Sequence, residues 1–158
     1  MLHLLLQIAG TRYALEATGV IEVLPIVHVE PLAPPIPGLA GLINYRGIPI
    51  PVVDLGLHFT NIPTPRRIGT RIIAVETPAS VNVSRPPVAL LVERILGAAP
   101  LAPESFRQAG PEGARRVAHD PTGFIHLLDL AGCLQPVANT SDAIRSTAPC
   151  AATPSKSF

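Results

Sequence analysis

The stretch Ile43–Leu55, INYRGIPIPVVDL, sets one arginine and one glycine between two apolar runs, and the second run ends near an aspartate. Gly47 can supply the positive φ that a tight turn requires, and Asn44 is of a type common beside turns. Pro49 and Pro51 alternate with Ile48, Ile50 and Val52. Prolines at alternate positions remove amide donors along one side, which predicts an edge strand or a strand beside a bulge. Two residues stay open at this point. Arg46 is solvated, pairs with a carboxylate, or offers its planar five-donor head to a partner. Asp54, closing an apolar strand, is a catalyst or a strand-end cap.

Upstream, LHLLLQIAGTRYALEATGVIEVLP reads as a β-hairpin turning at AGTR, then a short helical turn and another strand. PLAPPIPGLAG is a proline-rich loop. Downstream, TNIPTPRR is a break, TRIIAVETP a strand, ASVNVSRP a polar connection and PVALLVERILGAAPL strand then turn. APESFRQAGPEG is loop with one helical turn after Pro103, and VAHDPTGFIHLLDLAGCL is strand–turn–strand around DPTG. From Gln135 to Phe158 the residues shift to Ala, Ser, Thr and Pro, which bury too little surface to offset their ordering entropy. That tail is expected to be mostly disordered, with a fraying helix at its start.

VIEVLP is echoed by VERILG, and IPVVDLGL by IHLLDLAG, each at an offset of about 70 residues. Many short strands with closely spaced turns, arranged as a repeat, predict two small β-barrels rather than a parallel α/β sheet. With 158 residues the chain is one domain or two small subdomains sharing a core. Aromatic residues are sparse, so that core must come from Val, Ile, Leu and Ala.

Composition excludes several classes. A formal net charge of +1, with scattered arginines and no interleaved aromatics, gives no footprint for nucleic acid. Cys133 and Cys150 form no CxxC pair or disulfide framework. Cys133, in an apolar run, reads as a small core residue. The start MLHLLLQIAG lacks a basic leader, and charges and prolines interrupt every candidate membrane span, so a cytosolic protein is expected.

Site chemistry is equally sparse. VVDLG and LLDLAG loosely resemble the paired aspartate loops of aspartic proteases, whose carboxylates share a proton. A small hydroxyl residue should stand after each carboxylate, but Leu55 and Leu130 occupy those positions. Asp54 and Asp129 are therefore expected to end their strands and cap the turn or short helix after them. His119, His126, Asp120 and Asp129 match no metal-ligand spacing, and His126 should face solvent. No metal, cofactor or catalytic residue is assigned; the chain does not read as an enzyme.

Taken together, YALEATGVIEVLP, PLAPPIPGLAGLINYRGIPIPVVDL, TRIIAVE, ALLVERI and HLLDL resemble, in order and spacing over residues 2–134, the chemotaxis coupling proteins with CheW-like domains. The Asn-x-Arg-Gly block is the most specific element. The resemblance implies a mainly β fold of two intertwined five-stranded, SH3-like β-barrels around a shared apolar core. The domain would span 1–134, with a first barrel at roughly 16–66 and a second at roughly 67–134 plus the N-terminal strand. It implies a non-enzymatic adaptor, without cofactor, linking the cytoplasmic hairpin tips of chemoreceptors to the regulatory domain of a CheA-type histidine kinase. Other CheW-like domains are further partners, and membrane arrays are reached only through partners. Val20, Glu22, Asn44, Arg46 and Arg71 would lie on or near the binding surface, and Gly41 and Gly47 would shape it. The proline-rich character resembles coupling proteins of alternative, surface-sensing (Wsp-like) pathways. The alternative is a CheW-like module that occupies receptor arrays without engaging a kinase.

Overall fold

The computed structural model describes residues 1–78, 86–111 and 115–139. Two turns of the same kind set its strand pairing. Strands β1 (Leu2–Ile8) and β2 (Thr11–Glu16) reverse at Ala9-Gly10, where φ is 49° and 78°. Strands β4 (Leu39–Tyr45) and β5 (Ile48–Asp54) reverse at Arg46-Gly47, where φ is 51° and 83°. Two successive left-handed residues match the twist of the flanking strands, and glycine at the second position removes part of the steric cost.

The remaining strands are β3 (Val20–Pro25), β6 (Arg71–Val75), β7 (Val88–Val92), β8 (Arg94–Pro100), β9 (Arg107–Ala109), β10 (Arg115–Asp120) and β11 (Gly123–Leu127). They form a five-stranded sheet, β3-β6-β7-β5-β4, and a six-stranded sheet, β8-β1-β2-β11-β10-β9. The first five positions of the two orders correspond. Each has an antiparallel hairpin (β6-β7 or β1-β2) at its second and third places, joined to its fourth strand by a parallel pair (β5-β7 or β11-β2). The internal echo in the sequence is thus structural. Each repeat sends its hairpin to one sheet and its later strands to the other.

This swap corrects the expected subdomain limits. A boundary at 66/67 divides the two sequence repeats, but β6 and β7 lie beyond it and pair with β3 and β5. Strand content and the two-unit, intertwined plan are as expected, whereas the units are curled sheets rather than closed barrels. In the five-stranded sheet the edges β3 and β4 share no ladder. The segment that follows β3 meets β4 through one isolated bridge, Glu30 to Leu42, whose backbone bonds are 2.9 and 2.8 Å. Gly41 stands at this crossing: a Cβ there would lie 2.0 Å from the Glu30 carbonyl oxygen.

Three apolar clusters result from the curl. Ile43, Ile50, Val52, Ile72, Ala89 and Leu91 fill the five-stranded sheet, and Ala14, Phe106, Ala118 and Ile125 fill the other. Leu6, Ile8, Leu15, Val53, Ile73 and Leu90 form the shared core between them. Cys133 joins that core, and burial pushes its thiol up to about 12, with Asp129 adding to the effect. Helices α1 (Leu55–Thr60), α2 (Leu130–Cys133) and α3 (Gln135–Ala138) complete the domain. The tail expectation is thereby modified at its start, since α3 docks Val137 into the shared core; residues 140–158 lie outside the described residues. Among the described residues no helix is long and apolar enough to cross a membrane.

The proline expectation holds for half of β5. Pro49 and Pro51 face Asn44 and Leu42 of β4, while pairing with β7 begins only at Val52. Among the described residues the donor-free half has no ladder on its second side, and the donor-bearing half is internal. The three-residue strand β9 was not expected; RQA carries no periodic signal.

Candidate functional site

The β4–β5 turn projects Arg46 from the rim of the five-stranded sheet. Its conformation is held locally, with the Gly47 amide donating to Asn44 Oδ1 at 2.8 Å. Arg46 Nη2 donates to Glu22 Oε2 at 2.9 Å, and the Tyr45 hydroxyl donates to the same oxygen at 2.9 Å. The guanidinium carbon stands 5.2 Å from the centre of the Tyr45 ring, within cation–π range. Glu22 belongs to β3 and Tyr45 to β4, so this cluster bridges the two free edges of the curled sheet. The bond to Glu22 holds the Tyr45 phenol above its ordinary value; burial acts in the same direction and Arg46 opposes it.

The cluster is accessible. The Arg46 side chain is 72% exposed and that of Glu22 38%, so an exposed ion pair of this kind contributes no more than about 1 kcal/mol. Most of the five guanidinium donors remain open to a partner. Exposed Ile48 lies opposite Tyr45 in register. Apolar surface beside an available guanidinium suits recognition of a protein surface rather than chemistry.

The expected site residues divide. Glu22, Asn44, Arg46 and Gly47 converge on the turn. Gly41 acts one step removed, by admitting the Glu30 crossing. Val20 is half-buried on the shared core, separated from Glu22 by a register shift in β3. Arg71 lies level with Val92 and Pro25, at the far end of the sheet from Arg46, and donates to the carbonyls of Ile68 (2.6 Å) and Thr70 (2.9 Å). Tyr45 was missed. Its signal is its place two residues after Ile43, on the same strand face, with a phenol reaching the rim.

The aspartates behave as caps in unequal degree. Asp54 is buried and accepts from the amides of Leu57 (3.1 Å) and Thr64 (3.0 Å) and from the Thr64 hydroxyl. These three donors make the carboxylate a clasp between α1 and the loop beyond it. Asp129 holds the same N-cap position before α2, but its exposed side chain makes no capping bond. His126 is not simply solvent-facing as expected. It is half-buried with its ring 5.5 Å from that of Tyr13, which stacks on Phe59 at 5.1 Å. These rings, with His58 and Arg115, line an open groove of about 1090 Å³.

The family model described as CheW-like domain matches residues 2–141. The chain belongs to the CheW-like domain family. A similar solved structure is the crystal structure of the scaffolding protein TtCheW from Thermoanaerobacter tengcongensis, with a TM-score of 0.73 and 23% identity. The similarity covers 85% of this chain and 87% of that one, and it establishes the CheW fold for the two intertwined sheets. No curated protein matches the chain by sequence.

Proposed function

We propose that this CheW-like protein is a non-enzymatic adaptor in chemosensory signalling, joining the cytoplasmic tips of chemoreceptors to the regulatory domain of a CheA-type histidine kinase. The observation that carries the reading is Arg46: a mostly exposed guanidinium, aimed by a rigid two-residue turn and held over Tyr45 beside exposed Ile48. Glu22, Asn44 and Arg46 form the centre of the receptor-facing surface, with Val20 supporting β3 from the core side and Gly41 and Gly47 setting the backbone. Asp54, buried and engaged as a helix cap, supports a binding role over hydrolysis.

The experiment is co-purification with a receptor cytoplasmic fragment and with a CheA-type kinase, using wild type and Arg46→Glu. The adaptor reading expects wild type to retain both partners, and the variant to lose the receptor fragment while staying folded. Retention of the receptor alone would convert the reading into a module that occupies arrays without a kinase.

A further inference from the structure

Apart from the Arg46 cluster, the most exposed large apolar side chain among the described residues is Ile68, 94% exposed in the loop between α1 and β6. A lone exposed isoleucine is ordinary. The way this one is held is not. Thr70, fully buried, donates its hydroxyl to the Pro65 carbonyl (2.7 Å) and accepts from the Arg67 amide (2.9 Å), while its own amide donates to Arg67 O (3.0 Å). Arg71 then clamps the Ile68 carbonyl at 2.6 Å. The backbone is pinned on both sides of a β-branched side chain that has few rotamers of its own. The result is a preorganised apolar knob, which loses little freedom when it binds.

Charge surrounds the knob. Arg66 and Arg67 precede it, Arg71 lies beneath it, and Arg94 packs against Gly69, where a Cβ would be 3.4 Å from Arg94 Nε. The ion pairs among the described residues are Arg12–Asp120 and Arg46–Glu22, so none of these four guanidiniums has a carboxylate partner there. Glu93, beside Arg94, is engaged elsewhere, accepting from the Gly10 amide at 3.2 Å and Gln7 Nε2 at 3.5 Å. In a chain of net charge +1 this is a local concentration of uncompensated positive charge around one aliphatic anchor.

We propose that the Ile68 loop docks into an apolar socket rimmed by carboxylates on a protein partner, and that this partner is the kinase regulatory domain. The inference rests on the adaptor reading above. Charge complementarity demands the carboxylates, and the planar arginine heads suit them bidentately. A nucleic acid would leave the knob without a use, because the loop has no aromatic residue to stack on bases. A lipid surface would gain only Ile68 and the nearby exposed Ile62. Position selects the kinase. Arg71 opens β6 level with Val92, whereas Arg46 precedes β5, whose pairing with β7 reaches Leu91 only at Asp54. The two surfaces therefore sit at opposite ends of one sheet, and a chain that holds two proteins together needs two that do not overlap.

The test measures binding of the purified kinase regulatory domain, and separately of a receptor cytoplasmic fragment, to wild type, Ile68→Asp and the double variant Arg66→Glu/Arg67→Glu. Ile68 is so exposed that its replacement should leave the melting temperature unchanged. Expected is a loss of about tenfold or more in regulatory-domain affinity for both variants, with receptor affinity unchanged. Wild-type affinity should also fall with added salt more steeply than that of the double variant. Undiminished binding of the regulatory domain to Ile68→Asp would overturn this inference and leave the adaptor reading intact. No binding to wild type would overturn both. Loss of the receptor fragment instead, or Ile68-dependent binding to phosphatidylserine vesicles with the kinase contact intact, would also overturn it.

Discussion

Arg46→Glu separates a recognition role from a structural one because the two predict very different magnitudes. On the folding side, the substitution removes an exposed ion pair to Glu22 and places two carboxylates near each other. An exposed pair is worth about 0.2–1 kcal/mol and its reversal costs a similar amount, so stability should fall by roughly 1 kcal/mol. The backbone contributes little, since arginine already occupies the left-handed φ of 51° and glutamate adopts it no less readily. For a chain of this size, 1 kcal/mol moves the melting temperature by about 2–4 °C. On the binding side, reversing a charge that is hydrogen-bonded within an interface costs about 2–5 kcal/mol, or roughly thirtyfold and upward in affinity. Calorimetry and titration of a labelled receptor fragment on the same samples read both quantities. The double variant Glu22→Arg/Arg46→Glu should recover the lost stability without recovering the affinity. Collapse of the fold in Arg46→Glu, or receptor affinity within threefold or so of wild type, would refute the reasoning.

Other substitutions test the geometry around the turn and beyond it. Gly47→Ala should cost only about 1 kcal/mol, because its φ of 83° is strained for alanine but open space surrounds the new Cβ. Gly41→Ala should cost several times more in denaturant titration, since its Cβ would collide with the Glu30 carbonyl and force the segment after β3 away from β4. Asp54→Ala should lower stability by about 2–4 kcal/mol by stranding the Thr64 and Leu57 amides; a variant that melts like wild type would contradict the capping role. Arg12 grips Asp120 through bonds of 2.8 and 2.6 Å and, with Thr122, holds its carboxyl well below the usual range. A carboxylate depressed in the folded state adds stability that is present above its unfolded value and is lost as pH falls through the folded one. Asp120→Asn should therefore melt lower than wild type at neutral pH, and the gap should shrink as pH drops below about 4.

The features that could be read from the chain are those that local chemistry decides. AGTR and NYRG announce their turns because glycine and its neighbours determine φ within two residues. VVDLG announces a strand passing into a capped helix because the acceptor and the amide it serves lie three positions apart. The echo of IPVVDLGL in IHLLDLAG survives because both copies face the same local task. Partners set by distance in the chain were not legible. That the β6-β7 hairpin joins β3 and β5 of the other repeat, rather than the later strands of its own, depends on a swap that no local pattern records. Glu22 meets Tyr45 across 23 residues only because the sheet curls, and Gly41 is required by a carbonyl that arrives from Glu30. Val137 reads as tail by composition, yet the shared core has room for it. At the site, the arginine could be picked out, whereas the tyrosine beneath it could not.

An adaptor must hold its two partners at the same time. A receptor cytoplasmic fragment and a CheA-type regulatory domain, mixed with and without this protein, can be tracked by size-exclusion chromatography with light scattering. The account predicts a three-component species that forms only when the protein is present. It also predicts that this species loses its receptor in Arg46→Glu and its kinase domain in Ile68→Asp. Two partners that displace one another from the same protein, or that never bind it, would contradict the account.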